Sequence, residues 1–154
     1  MTTPDVGVYP FFSQDHRDCD GAWVALEEAA SGARADETRK LWKDFAARME
    51  RHFRMEEEVL FPAFEDATGM HGAGPTEVMR IEHNQMRALL AQIGQRVDAG
   101  DLDGVLDHGD TLMMLVAQHN AKEENMLYPM ADNALHAVWD SLAARLHTYI
   151  DPSH

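Results

Sequence analysis

Cysteine is nearly absent from this sequence, with Cys19 the single one among 154 residues. No disulfide can form within the chain, so packing has to hold the core together, and a reducing compartment such as the cytoplasm is favoured. A chain of this length, with 45% hydrophobic residues, can bury roughly two-thirds of its unfolded surface. We therefore expect one domain over residues 1–154.

Long apolar runs and excess positive charge are also missing. No stretch approaches the ~20 apolar residues of a membrane-spanning helix, and no N-terminal signal pattern is present. The chain has 13 Lys and Arg against 27 Asp and Glu, which gives a formal net charge of −14. This charge repels polyanions, so nucleic acid and anionic membranes are excluded as expected partners. No pattern indicates an oligomeric state.

Strand patterns are absent as well, because the apolar residues recur at helical spacing. Residues 1–12 predict an extended lead-in, and turn signals delimit four long helices over about 13–31, 36–67, 75–100 and 103–129. A shorter amphipathic helix is predicted over about 135–150. Pro62 predicts a kink or an early end to the regular part of the second helix. The short connections favour an all-α fold, an up-down-up-down four-helix bundle with a short extra C-terminal helix.

The chain contains an internal repeat with an offset of 67 residues, over about 13–67 and 80–134. Each half carries a leading histidine, a second histidine 36 residues later and a glutamate four residues after that. These residues are His16, His52 and Glu56 in the first half, and His83, His119 and Glu123 in the second. An acidic residue, Asp15 or Glu82, stands directly before each leading histidine. The match indicates a duplicated helix pair.

Helical spacing places these six side chains among apolar ones. On the fourth predicted helix, His119 and Glu123 share a stripe with Leu112, Met126 and Met130, which predicts that all five face the core. Carboxylates in an apolar core cost several kcal/mol each unless they are protonated, paired or bound to a metal. No Lys or Arg lies on these stripes near them. A pair of cations is therefore predicted, and imidazole with carboxylate suits iron, zinc or manganese.

These residues resemble the hemerythrin-like domains that bear HHE cation-binding motifs. The resemblance covers His16 to about Pro129 and rests on two His-x-x-x-Glu motifs with two further helix-borne histidines at matching spacing. It implies a helical bundle with two iron ions bridged by oxide or hydroxide, which zinc or manganese could replace. It also implies that one iron is held by His16 and His52, the other by His83 and His119, with Glu56 and Glu123 as bridges.

The sequence departs from the oxygen-carrying hemerythrins in its third helix. Those proteins place a second histidine one turn from the first, whereas Met79 and Arg87 stand four residues on either side of His83. The second glutamate also follows its histidine by four residues, where the oxygen carriers use a five-residue step. The resemblance therefore implies a more symmetric centre, closer to HHE domains linked to iron handling and to oxygen, nitric oxide or redox response.

Three functions are open at this point. The first is binding or sensing of a small ligand such as dioxygen, peroxide or nitric oxide. The second is a di-iron enzyme that reduces one of these molecules, and the third is iron storage or delivery. A catalyst needs a positioned acid or base beside the metal. The sequence offers no clear candidate, which favours binding over catalysis.

Several other residues near the motifs are interpreted as surface or packing residues and not as predicted ligands. Glu57, Glu58 and Glu124 follow the proposed ligands and predict a solvated acidic face, from which Glu57 or Glu124 could supply an extra ligand. Cys19, one turn beyond a leading histidine, is interpreted chiefly as a packing residue that lines the pocket, with a redox or gating role as the alternative. Tyr128, the counterpart of Phe61 in the repeat, is interpreted chiefly as a packing residue too, with a hydrogen-bond donor in the pocket as the alternative.

Overall fold

A computed structural model of the chain describes residues 7–150, and every element in that range is helical. The elements are α1 Val8–Ser31, α2 Ala35–Met55, a first π turn Glu56–Leu60, α3 Phe61–Thr68, α4 Pro75–Asp98, α5 Leu102–Lys122, a second π turn Glu123–Leu127, α6 Tyr128–Leu135, a 3₁₀ turn His136–Val138 and α7 Trp139–Ile150. The long helices form a bundle in which α1 packs against α2 and α5, and α4 packs against α5 and α2. The all-α prediction is confirmed. No helix within residues 7–150 is long and apolar enough to cross a membrane.

The bounds of these elements repeat with the same offset as the sequence motifs. Moving α1, α2, the first π turn and α3 forward by 67 residues gives the bounds of α4, α5, the second π turn and α6. Residues that are 67 apart therefore occupy equivalent places in their helices. This equivalence allows the two sides of the bundle to be compared residue by residue.

The first helix begins earlier than the sequence predicts. Of the expected extended lead-in over residues 1–12, residues 1–6 lie outside the described part, and α1 already starts at Val8. The Asp132 carboxylate of α6 accepts hydrogen bonds from the backbone N–H groups of Val8 at 2.6 Å and Tyr9 at 3.1 Å. It thus satisfies two donors of the first turn, as a local capping residue would. Because this cap lies more than 120 residues away along the chain, no local pattern reveals it.

The helices that contain Pro62 and Pro129 change geometry just before each proline. Proline has no N–H to donate to the preceding turn, so the α-helical bonding pattern cannot continue through it. In the second π turn the N–H of Tyr128 donates to the carbonyl of Glu123, five residues earlier. The chain then continues as α6 as far as Leu135, so the prediction that the fourth helix ends near Pro129 is wrong. Proline is tolerated there because it lies in the first turn of α6.

The second π turn also changes which residues face the core. Met126 and Met130, predicted on the buried stripe, are 58% and 39% exposed. Leu127, Tyr128 and Ala131 are buried instead. A π turn accommodates one extra residue, which rotates the following segment by about 100° relative to an uninterrupted α-helix. The buried stripe therefore moves by one position beyond Glu123.

The core consists of two apolar clusters with a layer of buried polar side chains between them. On α4, for example, Met79 belongs to one cluster and Met86 to the other, and His83 lies between them. We call the six side chains of this region the polar layer: His16, His52, Glu56, His83, His119 and Glu123. No member is more than 4% exposed, so the polar layer has to be neutralised from within the protein.

Close packing between Trp23 and Gly109 gives a first prediction. A Cβ added at Gly109 would lie 2.2 Å from two atoms of the Trp23 ring, which is only 4% exposed. We expect Gly109→Ala to lower the free energy of unfolding by about 1–3 kcal/mol, as overpacking does. Urea denaturation followed by circular dichroism measures this change.

Gly21 provides the matched control on α1. No atom lies within 4 Å of a Cβ built at Gly21, so Ala meets no steric obstacle there. Because Ala is the better helix former, Gly21→Ala should raise the free energy of unfolding by up to about 1 kcal/mol. Changes of the same sign in the two variants would contradict the packing argument.

Candidate metal centre

The six residues that the sequence predicts as metal ligands are the members of the polar layer, and all of them are buried. The four histidines come one each from α1, α2, α4 and α5, and each of the two glutamates is the first residue of a π turn. The polar layer therefore depends on all four long helices. Their convergence brings together side chains that are as far apart in the sequence as His16 and Glu123.

Glu123 lies among three of the histidines. Its Oε1 atom is 3.0 Å from Nε2 of His16, 3.3 Å from Nε2 of His119 and 3.9 Å from Nε2 of His52. These imidazoles belong to both halves of the repeat. The carboxylate of Glu123 is therefore placed to contact ligands from either side of the bundle.

Glu56 takes the corresponding place in the first half. Its Oε1 atom is 3.0 Å from Nε2 of His83 and 3.3 Å from Nε2 of His52. Two groups of side chains each offer ligand atoms within 4.8 Å of one another, namely Glu56, His83, His119 and Glu123, and His16, His52 and Glu123. Each group is compact enough to surround one metal ion, and Glu123 belongs to both.

Three buried atoms of the polar layer have no hydrogen-bond partner within the described residues. They are Nε2 of His52, Nε2 of His119 and Oε2 of Glu123. An unsatisfied buried polar atom costs about 1–3 kcal/mol, and a charged one costs more. Cations coordinated by these nitrogen and oxygen atoms would remove that cost. The donor set suits iron, zinc or manganese, so the residues fit the metal that the motifs predict.

Each histidine of the polar layer also contacts a second carboxylate through its other ring nitrogen. The distances from Nδ1 are 2.7 Å for His52 to Asp15, 2.8 Å for His119 to Glu82, 2.7 Å for His83 to Glu57 and 2.6 Å for His16 to Glu124. With the proton on Nδ1, each imidazole donates to its carboxylate and keeps the Nε2 lone pair free. This is the tautomer and orientation that a metal-binding histidine requires.

These outer carboxylates correct the interpretation of Glu57 and Glu124. The sequence predicts a solvated face for them, but both are half-buried and each accepts a hydrogen bond from a histidine of the other half of the repeat. Glu58, by contrast, is exposed as predicted. The sequence signal for this role was the pair of adjacent glutamates in each half. The histidine that each outer glutamate contacts lies on a different helix, so only the fold identifies it.

Burial and nearby carboxylates shift the pKa values of the imidazoles in opposite directions. Burial lowers the pKa of His119, but the negative charge of the nearby Glu123 outweighs this and raises the pKa to about 9. The pKa of His83 is raised by the same balance. Burial raises the pKa of Glu57, yet hydrogen bonds from His83 and Arg87 bring it down to about 2. Without metal, His83 and His119 are therefore favoured in their protonated forms, with protons at positions where cations would bind.

Tyr128 is a member of the site, although the sequence favoured a packing role for it over that of a pocket donor. Its Oη atom lies 2.7 Å from Oε2 of Glu56, 2.9 Å from Oε1 of Glu123 and 3.1 Å from Nε2 of His16. Burial and the two carboxylates raise the pKa of Tyr128 well above its ordinary value, so the hydroxyl stays protonated and donates. In an α-helix a residue five positions after Glu123 would point about 140° away from it. The π turn brings Tyr128 back to the same face.

Cys19 lies beside the polar layer and belongs to neither of the two ligand groups. Burial raises the pKa of its thiol to about 11, which favours the neutral thiol at neutral pH. Its side chain lines a small enclosed cavity of about 10 Å³, together with His52, His119 and the apolar side chains of Met86 and Val116. That space is close to the volume needed for one water-sized molecule.

Comparison with known protein families agrees with this geometry. The family model described as the hemerythrin HHE cation binding domain matches residues 8–131, more than three-quarters of the chain. The matched segment contains every residue of the polar layer and Tyr128. Searches of curated proteins and of solved structures each return no match. The chain therefore belongs to the hemerythrin HHE cation-binding domain family.

Proposed function

We propose that the protein holds two iron ions in the polar layer and uses them to bind or sense a small ligand such as dioxygen, peroxide or nitric oxide. The two compact ligand groups that share Glu123 carry this proposal. Four imidazole nitrogens and four carboxylate oxygens supply about four ligand atoms to each ion, two fewer than octahedral coordination requires. Imidazole and carboxylate ligands with open positions suit non-haem iron.

The proposed ligands fall into two pairs with two bridging carboxylates. We assign His16 and His52 to one ion, and His83 and His119 to the other, with Glu56 and Glu123 between them. Oε1 of Glu56 lies within 3.3 Å of a histidine from each pair, and Oε1 of Glu123 contacts both pairs as well. This double contact supports the bridging role of both glutamates.

We also propose that the four long helices alternate in direction, as in an up-down-up-down bundle. The connections from α1 to α2, over 32–34, and from α4 to α5, over 99–101, are three residues each. Each connected pair packs directly together. Short connections between packed helices favour antiparallel neighbours.

The surroundings of the polar layer fit a ligand of only a few atoms. Bound iron would supply an open coordination position and electrons for such a ligand. Met86 and Val116 contribute apolar walls to the enclosed cavity beside His52 and His119, and its volume of about 10 Å³ is close to that of one water-sized molecule. The outer carboxylates meanwhile hold the imidazole rings in orientation.

Metal analysis combined with an optical titration tests the proposed function. Protein purified with iron is expected to contain two iron ions per chain. Azide is expected to bind reversibly and to shift the ligand-to-iron absorption with a saturating titration curve. Fewer than one iron ion per chain, or a spectrum that azide leaves unchanged at millimolar concentration, would refute the proposal.

Asp15 provides a prediction about the outer carboxylates. Asp15→Asn keeps the size of the side chain but weakens the bond to Nδ1 of His52, so we expect the affinity for iron to fall by about 10–100-fold. A competition titration against a chelator of known affinity measures this change. Asp18→Asn is the matched control, because Asp18 is exposed on the same helix and accepts its described hydrogen bond from Gln14. Equal affinities in the two variants would contradict the role of Asp15.

A second candidate function, reduction of dioxygen, peroxide or nitric oxide, is favoured by Tyr128. Sequence reasoning preferred binding because no positioned acid was evident. The Tyr128 hydroxyl is such a group, since it is buried and lies within 3.1 Å of Glu56, Glu123 and His16. A protonated hydroxyl at this position can donate a proton or a hydrogen bond to a reacting ligand.

Tyr128→Phe separates the two candidate functions. The substitution copies the residue at the equivalent position, Phe61, and keeps the ring. For an enzyme, we expect the rate of hydrogen peroxide consumption by the iron-loaded protein to fall by about 10²–10⁴-fold, the usual contribution of a positioned acid. For a binding protein, peroxide consumption is slow in both forms, while azide affinity changes by less than tenfold.

A further inference from the structure

A surface groove between α1 and α5 leads towards the polar layer. We call it the outer groove; it has a volume of about 570 Å³, and His16, Asp20, Val116, Asn120 and Glu124 are among its lining residues. Three of these, His16, Val116 and Asn120, also line the enclosed cavity. One layer of side chains therefore separates the outer groove from that cavity.

The enclosed cavity behind this layer carries groups that lack a partner. His52 and His119 line the cavity, both are nearly fully buried, and neither Nε2 atom has a hydrogen-bond partner within the described residues. A lone pair without a donor is satisfied by a proton or by a metal cation. The outer groove thus leads towards two imidazole nitrogens that can bind a cation.

The equivalent place on the opposite side of the bundle, between α2 and α4, is closed. Arg87 donates to Glu57 at 2.8 and 2.9 Å and to Glu50 at 3.1 Å through each of two nitrogens. Its guanidinium also lies over the ring of Phe53, 5.1 Å from the ring centre. Phe53 in turn lies against His83 with ring centres 4.4 Å apart. These contacts cover His83, which is 0% exposed.

Each residue that closes this side has a smaller or oppositely charged counterpart at the outer groove. The residues 67 positions from Glu50, Phe53 and Arg87 are Ala117, Asn120 and Asp20. Glu124, the counterpart of Glu57, consequently has no arginine against it and pairs with His16. The repeat therefore retains the carboxylate that orients the histidine on both sides but retains the covering residues on one side only.

The charge of the outer groove suits a cation. Asp20 is exposed, Glu124 is partly exposed, and no ion pair joins either residue to a lysine or arginine within residues 7–150. Arg17 also lines the groove, but its described hydrogen bond goes to Gln14. Carboxylates at the mouth of a cleft raise the local concentration of cations and the rate at which they associate.

We propose that the metal cation reaches the polar layer through the outer groove, drawn in by Asp20 and Glu124, while Arg87 keeps the equivalent route between α2 and α4 closed. This inference rests on the proposed function, because it concerns the loading of the same site. On this proposal the ligand set is symmetric, but the metal reaches it from one side of the bundle only. The groove residues then set the rate at which metal binds and leave the final metal content unchanged.

Stopped-flow loading of the metal-free protein with Fe(II), under anaerobic conditions, tests the proposal. Asp20→Arg is expected to slow loading roughly tenfold at low ionic strength, while the final iron content stays at the wild-type value. The difference should shrink at high salt because the field of the groove is screened. Arg87→Asp combined with Asp20→Arg should restore loading to within about threefold of wild type, since it opens the opposite side.

Asp110→Arg is the matched control, because it makes the same change in net charge at an exposed position of α5 outside the outer groove. It should load at nearly the wild-type rate. Equal loading rates for Asp20→Arg and Asp110→Arg would overturn the access route while leaving the metal centre intact. Failure of the wild-type protein to bind iron would overturn the proposed function, and the access route with it.

Discussion

Glu123→Gln is expected to lower the iron content from two ions per chain to less than one. Glu123 is the member that the two ligand groups share, and its Oε1 atom contacts histidines from both pairs. Glutamine preserves the volume of the side chain but removes the charge that balances the cations. Since changes outside the ligand set already cost 10–100-fold in metal affinity, loss of a shared ligand should cost more than about 100-fold. Metal analysis after gel filtration measures the outcome.

Glu58→Gln controls for the loss of one negative charge near the same site. Glu58 is exposed, and its described contacts are with Arg54 and Tyr149 rather than with the polar layer. This variant should keep the full iron content. Retention of two iron ions by Glu123→Gln would show that the ligand assignment is wrong, whatever the behaviour of the control.

The metal-free protein is expected to become less stable as the pH rises from about 6.5 to about 9. The pKa values of His52, His83 and His119 are raised in the folded chain, that of His119 to about 9, because nearby carboxylates outweigh burial. A histidine with a raised folded pKa stabilises fully below its unfolded pKa of about 6.5, and this stabilisation is lost as the pH passes the folded pKa. For His119 the loss amounts to at most about 3 kcal/mol. Urea denaturation of chelator-treated protein across this range measures it.

The iron-loaded protein should show the opposite trend over the same range. Protons and cations compete for the same Nε2 atoms, so metal binding strengthens as the pH rises. A ligand at 1,000 times its dissociation constant stabilises the folded state by about 4 kcal/mol. The melting temperatures of the two forms should therefore diverge between pH 6.5 and pH 9. Parallel pH profiles for both forms would contradict binding of the metal by these histidines.

The four long helices were predictable because each satisfies its own backbone and shows its apolar stripe at 3.6-residue spacing. The predicted start of the third helix at Pro75 agrees with α4, and the predicted end of the first near Ser31 agrees with α1. The errors arise where a distant group or a change of helix type intervenes. Asp132 caps α1 from across the fold, and the π turn before Pro129 shifts the buried stripe.

The proposed ligands were named from the sequence because a histidine and a glutamate four residues apart share one helical face, and because the pattern occurs twice. Their surroundings could not be named in this way. Glu57 and Glu124 contact histidines on other helices, and Tyr128 reaches Glu123 only because the intervening turn is π-helical. Such contacts depend on how helices are placed beside one another, which spacing along one helix does not encode.

By itself, the sequence determined that this chain is helical, that its motifs repeat at an offset of 67 residues, and that six polar side chains in it share stripes with apolar ones. Each of these properties is local or repeats along the chain. The tertiary structure alone decided which carboxylate orients which histidine, that the Tyr128 hydroxyl enters the polar layer, and that Arg87 covers His83 on one side while a groove lined by Asp20 lies beside His16 on the other. These features depend on distances between helices, and only packing of the whole chain fixes those distances.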